Sequence, residues 1–115
     1  MTKAKIEIKP RVIARGERAM GPGKADLLEL IAETGSISAA AKRMKMSYSR
    51  AWHLVDVMNT AFRKPLVEAA TGGARGGGAV VTEQGREALQ VFRAMQSKIE
   101  AAAEPFRKTL EPLLK

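Results

Sequence analysis

The residues of this chain with the greatest chemical potential are its cations. Between Lys42 and Arg75 stand seven basic residues (Lys42, Arg43, Lys45, Arg50, Arg63, Lys64 and Arg75) against two acids, Asp56 and Glu68. Residues 1–24 add another seven against two, whereas the charges from Val81 onward nearly balance. The whole chain of 115 residues holds 20 Lys and Arg against 12 Asp and Glu, a formal charge of +8. Positive charge gathered on part of a small domain attracts a polyanion, either nucleic acid or an acidic membrane surface. Other chemistries are poorly supplied. Without cysteine and with His53 as the one histidine, no disulfide framework, thiolate chemistry or metal site is expected. The Gly-rich segment 72–78 lacks the Gly-Lys-Ser/Thr of a phosphate loop and leads into a strand instead of a helix. An enzyme is therefore not expected, and no motif asks for a cofactor.

The elements that must position these cations follow from periodicity and capping. Residues Lys5 to Val12 alternate, with Ile6, Ile8, Pro10 and Val12 on one side, which predicts an edge strand. Gly21-Pro22-Gly23 reads as a turn, and the spacing of Leu27, Leu28, Leu30 and Ile31 predicts a helix over 24–34 ended by Gly35. Ser38 is the expected N-cap of a short Ala-rich helix, and Ser47 that of a longer helix to about Phe62. Ala51, Leu54, Val55, Met58 and Phe62 face the core of that helix, and Trp52 is read as core as well. Met44 and Met46 are read as core filler. Two capped helices in such close succession make a helix-turn-helix pattern. Strands at about 64–70 and 79–81, joined by the Gly-rich segment, would then form a wing.

Thr82 caps a final helix of roughly twenty residues. Its apolar positions Leu89, Phe92, Ile99, Ala103, Phe106, Leu110 and Leu113, with Gln96 as a polar insert, step by threes and fours as a heptad seam. That seam seals either against its own domain or against a second copy; Leu89, Phe92, Ile99 and Phe106 are the expected dimer contacts. Pro105 predicts a bend or break near Glu104, and Gly85 a close helix packing. The fold class is thus mainly α with a small β component: a winged helix-turn-helix domain over 1–81, with the helix-turn-helix at about 38–62 and the wing at about 65–81, followed by a C-terminal dimerisation helix over 82–115. No signal-peptide core and no long apolar run occurs, so a cytoplasmic chain without membrane contact is expected.

Gly35-Ser36-Ile37-Ser38, Ala41-Lys42, Ser47-Tyr48, Ala51-Trp52, Met58-Asn59 and the run Leu66 to Gly85, with its ATGGxxGGGAV signature, resemble the N-terminal DNA-binding domain of the ModE family. These are bacterial molybdate-responsive transcriptional regulators. A looser likeness joins Gly35-Ser36-Ile37 and Thr82…Gly85 to LysR-type DNA-binding domains. The resemblance implies a regulator that binds double-stranded DNA as a homodimer, with the helix opened by Ser47 in the major groove. Arg50 would read a guanine edge, and Tyr48, Ser49 and His53 would touch bases or phosphates. Lys42, Arg43 and Lys45 would bind phosphate, and Arg75 with Gly76 and Gly77 would lie on the backbone or in the minor groove. Family regulators carry a C-terminal molybdate-binding region; the sequence given ends at Lys115, so tight molybdate binding is not expected of it. Two other readings remain open at this point. One is an adaptor or antagonist forming mixed dimers; the other is a sequence-tolerant architectural DNA-binding protein.

Overall fold

Two antiparallel strand pairs bracket a three-helix core, and a long fourth helix leaves it. The computed structural model describes residues 2–70 and 78–115, in which β1 spans Val12–Ala14, β2 Glu17–Met20, α1 Pro22–Thr34, α2 Ile37–Arg43, α3 Tyr48–Ala61, β3 Val67–Ala70, β4 Gly78–Val81 and α4 Glu83–Leu110. A short 3₁₀ turn, Glu111–Leu113, follows α4. β1 pairs with β2 and β3 with β4 as two separate sheets. This is the mainly α winged helix-turn-helix class expected from the sequence.

The core forms where the apolar stripes of α1 (Leu27, Leu28, Ile31), α2 (Ile37, Ala40, Ala41) and α3 (Ala51, Val55, Met58) converge. Leu66, Val67, Ala79 and Val81 close it from the wing side, and Met20 from the first hairpin. Met44 and Met46 pack at its edge. The alanines of α2 let the helices approach closely, as their small side chains demand. Gly35 ends α1 in the left-handed conformation at φ 69°, and its carbonyl then accepts from Ala79 N–H (2.9 Å), tying β4 to the end of α1.

The predicted strand over 5–12 does not form a ladder. Residues 2–8 run along the distal half of α4, and Pro10 and Arg11 then reach Gly21: Ala4 N–H donates to the Glu111 carboxylate (2.8 Å), Thr2 hydroxyl to the Lys115 carbonyl, and Ile6 and Ile8 lie beside Glu100 and Ala103. The two-residue period is real, but its apolar side stays unsealed, with Ile6, Ile8 and Val12 all exposed. The hairpin begins at Val12. Its turn, Arg15-Gly16, has positive φ at both central residues (53° and 76°), the requirement of a type I′ connection.

One cap and one break also differ from expectation. Ser36, not Ser38, caps α2, its side chain accepting from Ala39 N–H at 3.0 Å. The earlier start points Ile37 into the core, where it is buried. α4 runs unbroken for 28 residues, through Pro105. The carbonyl that the proline deprives of a partner belongs to Ala101, an exposed residue, so the missing bond falls where water can replace it. Gly85 packs as expected: a methyl group there would drive into the Leu66 carbonyl and come within 2.7 Å of Val81 Cγ1.

Candidate nucleic-acid interface

Ser47 opens α3, its hydroxyl accepting from Arg50 N–H at 3.1 Å. That bond sets the start of the helix and leaves Tyr48, Ser49 and Arg50 exposed in its first turn, with His53 one turn on. The opposite face is consumed by Ala51, Val55 and Met58, all fully buried. The division of the helix into a packed face and an unpacked one is thus enforced by 3.6-residue periodicity.

The turn between α2 and α3 displays the next cations. Met46 N–H bonds to the Ala41 carbonyl (3.0 Å) and Lys45 N–H to that of Lys42 (3.1 Å), the bonding pattern of a Schellman stop. The left-handed position of that motif usually holds glycine; here Lys45 occupies it at φ 56°. A lysine held in this conformation costs about 1 kcal/mol, and its side chain projects from the turn. Lys42 and Arg43 are exposed beside it, and Arg43 reaches Glu33 at 3.4 Å.

Trp52 departs from expectation. It is 45% exposed, not buried, and its indole N–H donates to the hydroxyl of Tyr48, itself 53% exposed. Trp52 follows Ala51 on the helix but lies about 100° away from it, outside the packed arc. The two aromatics form one plate that lines, with Ser38, Glu68 and Gly78, a groove between α3 and the β3–β4 pair.

Asn59 fixes that pair against α3. Its Oδ1 accepts from Leu66 N–H (2.8 Å) and Val67 N–H (3.2 Å), while Nδ2 donates to the Val67 carbonyl (3.0 Å). Thr82 adds a second anchor, donating from its hydroxyl to the Pro65 carbonyl and accepting from Gly85 N–H. Arg75, Gly76 and Gly77, the expected wing-tip contacts, lie outside the described residues.

Sequence reasoning also passed over cations that the fold assembles. Lys24, in the first turn of α1, has its pKa lowered by burial first and then by the charges of Arg18, Arg11 and Arg50. The fold gathers residues far apart in sequence here: Arg11 packs against Gly21 at the start of α1, and β2, which carries Arg18, packs on α3. The excess of basic residues in 1–24 was the available signal. The seam residues divide along α4: Phe92 is 3% exposed and belongs to its own chain's core, with Leu89 packed at its margin. Ile99 is half-buried, and Phe106 is 69% exposed.

Residues 24–86 match the model of the bacterial regulatory helix-turn-helix protein, lysR family. The chain is 39% identical to the molybdenum-pterin-binding protein MopB of Rhodobacter capsulatus over 99 residues, covering 86% of this chain and 37% of that protein. It is 36% identical to the molybdenum transport protein ModE of Azotobacter vinelandii (80% and 34% covered). It is 45% identical to the DNA-binding transcriptional dual regulator ModE of Escherichia coli K12 (62% and 27%). The chain thus spans about a third of the length of these curated relatives, and the similarity bears out the expected resemblance to ModE. Among solved structures, that of a CbnR_DBD–DNA complex superposes with a TM-score of 0.62 at 19% identity, covering 77% of this chain and 97% of that one, a likeness of fold.

Proposed function

The chain belongs to the lysR family of bacterial regulatory helix-turn-helix proteins, and from that premise we propose that it is a sequence-specific, DNA-binding transcriptional regulator of the ModE type. The observation that carries this reading is the first turn of α3: a capped helix start whose Tyr48, Ser49 and Arg50 are all exposed, flanked by the exposed Lys42, Arg43 and Lys45. Helix α3 enters the major groove with this turn nearest the bases. Arg50 makes the bidentate contact to a guanine edge, worth about 1–3 kcal/mol of discrimination. Ser47, Tyr48, Ser49 and His53 contact bases or the adjoining phosphates. Lys42, Arg43 and Lys45 hold the backbone without reading sequence. Arg75, Gly76 and Gly77 complete the grip from the wing. These roles place the protein with the chromosome, in the cytoplasm.

A homodimer accompanies this role. Beyond Met95 the helix α4 leaves the domain body, and Phe106, Leu110, Leu113 and Leu114 stand at least half exposed along its distal part and the turn after it. Ile99 and Phe106 meet a second copy there, while Leu89 and Phe92 brace the helix against its own domain. Two copies related by a two-fold axis then read an inverted repeat.

Selection from random duplexes at near-physiological salt tests the proposal. Recovery of an inverted repeat is expected, with Arg50→Ala relaxing one position of it more than it lowers general affinity. Binding without enrichment, abolished as salt rises, would replace this reading with architectural binding.

A further inference from the structure

The cations around Lys24 come from four separate segments of the fold. Arg43, Arg93 and Arg107 each meet a carboxylate. Among the described residues, Arg11, Arg18, Lys24 and Arg50 join no ion pair. They come from the segment before β1, from β2, from α1 and from α3; β2 packs against α3, and Arg50 lies one turn before His53 on the α3 face that meets the first hairpin. In keeping with that placement, burial and then the charges of Arg18, Arg11 and Arg50 lower the Lys24 pKa, opposed by Glu17. Arg11 is placed by packing, its Cγ lying 3.5 Å from where a Cβ on Gly21 would stand. Helix α1 begins at this spot with no side-chain cap and no acidic residue in its first turn, so its positive end adds to the field. A solvated face disperses like charges. Holding four together costs stability and is compensated when an anion arrives.

The position of the cluster identifies the anion. One side of α3, through Tyr48 and Trp52, faces the β3–β4 pair; the other, through His53, Asp56 and Val57, faces Ala14, Arg15 and Glu17 of the first hairpin. The cluster adjoins Arg50 in the very turn assigned to the major groove. We propose that the β1–β2 hairpin and the start of α1 form a second phosphate clamp, in which Arg11, Arg18 and Lys24 grip the duplex backbone on the side of α3 away from the wing. The recognition helix is then held from both flanks, by two hairpins of different origin. This inference rests on the proposed DNA-binding function and extends the grip to backbone phosphates which that function leaves untouched.

The test uses the full chain, the Arg11→Ala/Arg18→Ala double variant and, separately, Lys24→Gln. Affinity for a duplex bearing the selected sequence is measured across a salt series, together with phosphate-ethylation interference. The slope of log affinity against log salt should become shallower by about 0.9 for each phosphate no longer neutralised, hence about 1.8 for the double variant. Interference should disappear at phosphates flanking one side of the site, and sequence preference should be unchanged. Arg18→Lys should restore much of the slope. Unaltered slopes and interference in both variants, while Lys42→Ala still flattens the slope, would overturn the clamp and leave the DNA-binding function standing. A wild-type chain that binds no duplex would overturn both.

Discussion

The strand pairs on the two sides of α3 are anchored by different physics. β3 and β4 are fastened by directional polar bonds: Asn59 to Leu66 and Val67, Thr82 to Pro65, and Ala79 to the carbonyl of Gly35. The strand register is regular from Val67↔Val81 to Ala70↔Gly78. The β1–β2 hairpin has a register shift between Val12 and Ile13, and it holds on chiefly by burying Ala19 and Met20. Val12 and Ile13 remain exposed on it. Polar anchoring fixes an angle, because an unmet buried donor is costly; apolar anchoring fixes only proximity. The wing side is therefore suited to a defined approach to the duplex, and the hairpin side to following a backbone whose path varies.

Breaking the wing-side anchor should have the largest effect. Gly85→Ala forces a methyl into the Leu66 carbonyl, a backbone atom that cannot rotate away. A destabilisation of about 3 kcal/mol or more is expected in denaturant titration; an unchanged midpoint would mean that α4 and β3 have room to separate. Asn59→Ala comes next. It strands the amides of Leu66 and Val67 and should cost about 2–3 kcal/mol, with hydrogen exchange accelerating at β3 before the rest of the sheet. On the other side, Gly16→Ala meets no neighbour within 4 Å but must keep φ at 76°. The cost should be about 1 kcal/mol, confined to the hairpin; a destabilisation matching that of Gly85→Ala would erase the contrast.

The smallest effect concerns Lys24 and depends on pH. Its folded pKa lies below the ordinary 10.5, through burial and then the charges of Arg18, Arg11 and Arg50. Between the folded and unfolded values the unfolded chain binds more protons at this residue, so its contribution to stability rises with pH through that window. Lys24→Met should flatten that rise, and should stabilise the chain slightly at neutral pH while weakening DNA binding. A variant that is less stable at neutral pH would show that the lysine is held by attraction.

What could be read in the sequence was whatever is decided locally. Gly35, Ser47 and Thr82 were legible because a stop or a cap is made by a residue and its neighbours within four positions. So was the apolar face of α3. The exceptions arose where a distant partner decided. Ser36 and Ser38 are equally good caps in isolation, and the need to bury Ile37 selects the first. Residues 5–12 have the period of a strand, but of them only Val12 finds a ladder partner, in β2. Arg15-Gly16 forms the hairpin turn despite the arginine, which pattern alone did not mark. For the interface, the cations of the α2–α3 region were visible as a run in the sequence. The Lys24 cluster was not, because its members are brought together from β2, α1, α3 and the segment before β1.

Trp52 carries one further consequence. It is the chain's single tryptophan, and it stands half exposed on the helix assigned to the groove, with its indole N–H engaged by Tyr48. All the indole fluorescence of the molecule thus originates at the surface where a duplex would dock. Exclusion of water there would shift the emission to the blue, and stacking or proximity to bases would quench it. The protein holds an intrinsic optical reporter of its own occupancy, so binding can be titrated without a label on either partner.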